Sequence, residues 1–235
     1  MTLRPRRLVA QATLISASLL LGVSSSTLNP FASHRYAQDL DLVASSHPAA
    51  PNTSDTDSAA SFKRAHSKQV KADSSATASA TCDSCKASAT ALQVIYLDHT
   101  RKATADNTAT AWSTCRDCGA TSVSLQVVVM RPGMDLTARN RALAVNAACE
   151  GCSTTAIAVQ LVVVTKDHRG LSRDAREKLK ALAAELGAQL TGTALTKGAP
   201  AARAQGQIQV PGVDALINQE LRPMSVQRNL DVKTG

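Results

Sequence analysis

The stretch CDSCKASATALQVIYL, residues 82–97, joins a Cys-x-x-Cys to a run that ends in Gln-Val and apolar residues. Two further stretches have the same layout: CRDCGATSVSLQVVVM at 115–130 and CEGCSTTAIAVQLVVV at 149–164. First cysteines fall at Cys82, Cys115 and Cys149, and second cysteines at Cys85, Cys118 and Cys152. Each second cysteine precedes a glutamine, Gln93, Gln126 or Gln160, by the same interval, and β-branched residues follow. Self-similarity at a period of this length marks a repeat architecture, in which no unit can bury its apolar face alone.

Residues before the cysteines alternate with a period of two: Ala76, Ala78, Ala80; then Ala109, Ala111, Ser113; then Leu143, Val145, Ala147. After the cysteines, small residues at Ala91, Ser124 and Ala158 stand next to larger ones at Leu92, Leu125 and Val159. Period two with β-branched enrichment predicts strands. Each unit therefore reads as two strands joined at the Cys-x-x-Cys, as a β-hairpin or a tight β-arch. The central pairs Asp83-Ser84, Arg116-Asp117 and Glu150-Gly151 suit a turn. A helix starting at the second cysteine is the alternative, since CKASATAL is rich in alanine. The expected fold is mainly β, an α+β chain whose three two-strand repeats form a sheet or short solenoid covered by one C-terminal amphipathic helix.

That helix is read over 171–187. Leu171, Ala175, Leu179, Leu182 and Leu186 share a face, Ser172 is a candidate N-cap, and Gly187 a candidate stop. A short strand is expected over 189–195. The repeat domain with its helix thus spans 73–195. Ser-, Ala-, Thr- and Asp-rich sequence predicts a disordered spacer over 26–72, and the Ala/Gly/Pro/Gln-rich residues 196–235 predict a disordered tail. Residues 1–25 carry Arg4, Arg6 and Arg7 before an apolar run, the layout of a signal peptide cleaved after Ser25 or Ala32. Left uncleaved, the segment would be a membrane anchor. The expected location is secreted or extracytoplasmic, in the cell envelope, where cysteines oxidise.

The formal charge is +8. Lys and Arg exceed Asp and Glu by 7 to 4 over residues 1–70, 10 to 8 over 71–170 and 9 to 6 over 171–235. So diffuse an excess, with aromatic content of only 2%, offers no basic stripe with stacking rings, and no nucleic-acid partner is expected. Few aromatics also make a thin core, which needs staples, metal or a partner. Self-association through sheet edges is one route.

Three chemistries suit the six cysteines. Disulfides join residues three apart or neighbouring units, as Cys85 to Cys115, and six cysteines allow 15 pairings. A thiol-disulfide oxidoreductase would need a thiolate stabilised by a helix N-terminus or cation, with Lys86 and Arg116 nearby in sequence. Zinc would take two pairs, with His99 and His168 as secondary ligands. No His-Glu-x-x-His, phosphate loop or Gly-x-Ser-x-Gly is present, so no catalytic residue is assigned. The repeated glutamines read as a structural ladder. Trp112 reads as a surface cap or a ligand platform.

The unit of Cys-x-x-Cys, small alternating residues and Gln-Val-Val resembles repeats of secreted actinobacterial proteins often labelled putative peptide zinc metalloprotease. The resemblance covers residues 73–165. It implies an exported cysteine-repeat module; the protease motif itself is absent. The reading is an exported, non-enzymatic, disulfide-stapled module that meets an envelope or extracellular partner and needs no cofactor, with zinc binding or thiol-disulfide exchange as alternatives.

Overall fold

The computed structural model describes residues 38–192 and 211–235. Strands alternate between two sheets along the chain. One sheet holds β1 (Gln38–Asp39), β2 (Leu42–Ser46), β4 (Gln69–Ala80), β6 (Lys102–Ser113) and β8 (Asp135–Asn146), all parallel. The other holds β3 (Ser54–Arg64), β5 (Lys86–Leu97), β7 (Gly119–Met130) and β9 (Ser153–Val164), parallel, with β10 (Ser225–Thr234) antiparallel on β9. We call these the A and B sheets. From β2 to β9 successive strands lie in different sheets, so each Cys-x-x-Cys is a β-arch rather than a hairpin, and the chain winds as a solenoid of about four turns. No helix begins at a second cysteine; β5, β7 and β9 start just beyond it.

Facing side chains explain the close approach of the sheets. Ala76, Ala78, Ala80, Ala109 and Ala111 of the A sheet meet Ala87, Ala89, Ala91, Ala120, Ala156 and Ala158 of the B sheet, with the cysteines at the arches closing this end. Beyond the glutamines the filling enlarges to Ile95, Leu97, Val128 and Met130. The outer face of the B sheet is continuously apolar, with Leu92, Val94, Leu125, Val127, Val159 and Leu161 all buried. Such a face requires a lid. Two helices supply it: α1 (Arg173–Gly192), through Leu171 just before it and Ala175, Leu179, Ala183, Leu186 and Leu190, and α2 (Pro211–Leu221), through Val213, Leu216, Ile217 and Leu221.

Ser172 caps α1 as expected, its Oγ accepting the Ala175 N–H at 3.2 Å, while Glu220 of α2 accepts the Ser172 N–H at 3.0 Å. No helix among the described residues is long and apolar enough to cross a membrane.

Several expectations are corrected. From Gln38 onward the predicted spacer is strand, since β1–β3 form a first rung without cysteines; earlier residues, including the expected signal peptide, lie outside the described part. The predicted tail forms α2 and β10 from Pro211, its burial supplied by the B sheet rather than by local periodicity. Gly187 does not stop α1, and a helix occupies the start of the expected strand over 189–195. In the third unit the phase is shifted. Ala142 and Ala144 pair with Ala109 and Ala111, whereas Leu143 and Val145 face outward and are 54% and 37% exposed. The extra residue of that unit is absorbed at the arch, where Ala148 has φ 49°.

Candidate functional site

The three Cys-x-x-Cys arches stack at one end of the solenoid. Cys82–Cys85, Cys115–Cys118 and Cys149–Cys152 are each disulfide-bonded, with Cα–Cα separations of 5.5, 5.9 and 5.9 Å, and no described cysteine is free. The arch geometry comes from one residue in the left-handed region: Ser84 (φ 58°), Asp117 (φ 53°) and Gly151 (φ 70°). Asn52 (φ 59°) is its counterpart in the first rung, where Ala50 and Thr53 stand at the cysteine positions. Backbone bonds tie rung to rung: Asn52 N–H to Asp83 C=O at 3.0 Å, Ser84 N–H to Arg116 C=O at 2.8 Å and Asp117 N–H to Glu150 C=O at 2.8 Å. Glycine at 151 also makes room for the neighbouring arch, because a Cβ there would lie 2.1 Å from Asp117 Oδ1 and displace that side chain.

Around the sulfurs the polar neighbours are carbonyls. Cys149 and Cys152 Sγ lie 2.6 and 2.9 Å from Cys115 O, Cys118 Sγ 3.3 Å from Cys82 O, and Cys85 Sγ 3.1 Å from Ala50 O. Among the described residues no N–H donates to a cysteine sulfur. Arg116 turns its guanidinium to Asp83, 3.3 Å away. The Arg116 N–H and side chain together hold the Asp83 carboxyl below its usual range. Lys86 is exposed. Across rungs, Cys118, Cys149 and Cys152 Sγ lie within 4.8 Å of one another, and among the described residues no His, Asp or Glu joins the group.

The expected secondary ligands are elsewhere. His99 and His168 follow the distal ends of β5 and β9, a strand length of about 40 Å from the cysteine arches. His168 is engaged at both ring nitrogens, by Asp98 Oδ1 at 3.1 Å and Arg131 Nη1 at 2.7 Å, and its ring stacks on His99 at 5.8 Å. Asp98, only 8% exposed, also pairs with Arg64. This group clasps the 165–172 loop onto the neighbouring turns.

Gln93, Gln126 and Gln160 form a buried ladder. Gln126 Nε2 donates to Gln93 Oε1 at 2.8 Å, and Gln160 Nε2 to Gln126 Oε1 at 2.7 Å. Each amide also donates across to the A sheet: Gln93 to Leu40 O, Gln126 to Ala72 O and Gln160 to Ala105 O.

A second ladder escaped sequence reasoning. Ser74, Asn107 and Asn140 share one register of the A sheet. Asn107 Nδ2 donates to Ser124 O and Val159 O at 3.0 Å, and Asn140 Nδ2 to Ala158 O at 2.7 Å. Its signal was the common spacing of two asparagines, which cysteine alignment did not weigh. Trp112 lies on the outer face of the A sheet, 43% exposed, with Nε1 bonded to Ser79 Oγ. No family model, curated protein or solved structure matches the chain.

Proposed function

We propose that the protein is an exported, non-enzymatic repeat module that works in the cell envelope or outside the cell, with its Cys-x-x-Cys arches acting as disulfide staples. The observation that carries this reading is the bonding of every described cysteine within its own arch, in a setting of carbonyl oxygens. A reactive thiolate needs N–H donors or a cation beside it. A carbonyl dipole pointed at sulfur opposes that charge and tolerates a neutral disulfide. Burial of all three second cysteines also removes them from substrate thiols. The exposed outer face of the A sheet, with Trp112, Leu143 and Val145 adjacent, is the surface offered to a partner.

Mass spectrometry of the exported protein after thiol alkylation, with and without reductant, tests the staple. Six cysteines should resist alkylation until reduced, and no metal should co-purify. Zinc retained near unit stoichiometry, or thiols alkylated without reductant, overturns the reading. Fractionation with N-terminal sequencing tests export, the expected new terminus following Ser25 or Ala32. One observation favours a second reading, metal binding: the grouping of Cys118, Cys149 and Cys152.

A further inference from the structure

We propose that reduction turns the last two arches into a three-thiolate site for one soft monovalent cation, copper(I), held by Cys118, Cys149 and Cys152. The three Sγ atoms lie within 4.8 Å of one another, so modest side-chain rotation brings them around a common centre once the two bonds open. Three features give the site its preference. Its ligands are all thiolates, which select soft metals. Those within 4.8 Å of one another number three: Cys115, the fourth thiol that reduction releases, falls outside the group, and among the described residues no His, Asp or Glu joins it to make the four that zinc asks for. The polar atoms around the sulfurs are carbonyl oxygens, hard neutral donors that make a poor fourth ligand for zinc beside thiolates.

Access runs through Cys149. It is half-buried, while Cys118 and Cys152 are 3% and 6% exposed. A small dithiol supplies the electrons. Its thiolate attacks Cys149 Sγ, Cys152 leaves as a thiolate and takes a proton, and the second dithiol sulfur releases Cys149 as the dithiol closes to its own disulfide. A Cys149 or Cys152 thiolate then reaches Cys118 Sγ and forms an inter-rung disulfide, with Cys115 as leaving thiolate. A second dithiol opens that bond. Each disulfide has then accepted two electrons and two protons, and copper(I) displaces the protons of the three thiols it binds. This step extends the staple reading, which describes the oxidised protein.

The test titrates the reduced full-length chain, freed of dithiol under nitrogen, with copper(I) alone. Copper retained through gel filtration and the thiolate-to-copper absorption band in the ultraviolet are the readouts. About one copper per chain is expected, in a three-sulfur shell by X-ray absorption. Cys118→Ser and Cys149→Ser should each abolish retention, Cys82→Ser should leave it intact, and the oxidised protein should retain none. Circular dichroism of the reduced forms checks that the β-structure persists in every variant. Equal loss in Cys82→Ser and Cys118→Ser, no retention by the folded reduced wild type, or equal uptake by the oxidised chain overturns the proposal. Failure of the staple shows separately, as free thiols before any reductant is added.

Discussion

At the scale of single residues, the glutamine ladder carries the highest cost of error. Gln126 is fully buried, bonded to both neighbouring glutamines and to Ala72 O. Gln126→Ala leaves the Gln93 and Ala72 oxygens without their donor in a dry interior, so a loss of about 2–4 kcal/mol is expected in chemical denaturation. Gln160→Ala orphans fewer groups and should cost less; the reverse order would refute the ladder as a unit.

Tyr96 makes a pH prediction. Burial raises its pKa above the ordinary 10.0, outweighing the opposing hydrogen bond from the Leu171 N–H. An acid whose folded pKa is raised stabilises the fold fully below the unfolded value, and the contribution fades as pH rises through the folded one. Unfolding free energy should therefore fall from about pH 10 upward, and Tyr96→Phe should flatten that slope. An unchanged slope in the variant would assign it to other groups.

At the scale of elements, α1 is the lid whose removal would expose the most apolar sheet surface. Leu179 is fully buried against the B sheet, and Leu179→Ala should cost about 2–5 kcal/mol by thermal or denaturant unfolding. A change below about 0.5 kcal/mol would mean that the helix does not cover the sheet. Most of α1 could be read in advance, because its cap and stripe are local features. Its end could not. Gly187 serves a close approach to the sheet, since a Cβ there would lie 2.9 Å from Thr90 Oγ1, and Leu190 continues the buried face beyond it.

Solenoid ends expose strand edges, and here carboxylates sit on them. Asp57 and Asp55 accept the Ser45 and His47 N–H groups at 2.6 and 2.7 Å, and Asp231 of β10 accepts the Ala142 N–H of β8 at 2.8 Å. An edge N–H already bonded to a charged side chain is a poor template for another chain. Asp231→Ala should raise concentration-dependent association in light scattering, and unchanged association in the variant would remove edge protection as the role of Asp231.

For the whole molecule, the staples share the stabilisation with the two ladders and the helical lid. Each closes a very short loop, worth about 2 kcal/mol in the unfolded-chain model. Reduction should lower the denaturation midpoint yet leave the far-ultraviolet β-spectrum, because the inter-sheet hydrogen bonds and the α1 and α2 packing do not involve sulfur. Loss of the β-spectrum on reduction alone would show that the arches nucleate the fold.

The repeat, the strands of its three cysteine units, the arch residues and α1 of the helical lid were legible in the chain, because alternation, the cysteine period and a cap with its stripe are written within a few residues of one another, whereas α2 and β10 read as a disordered tail. The glutamines could be assigned to a ladder because a fixed period places equal residues in one register. Three things depended on packing. The cysteine-free first rung folds like the others, but with Ala50 and Thr53 at the cysteine positions it carried no mark to align. The phase of β8 turned on where one extra residue was absorbed, and only pairing with β6 placed it at the arch. The pairing of cysteines within each arch, and the closeness of Cys118 to the next arch, arose from stacking in space. Local chemistry sets which segments become strands and turns, whereas register and cross-rung neighbours are decided by how the two sheets bury their small faces against each other.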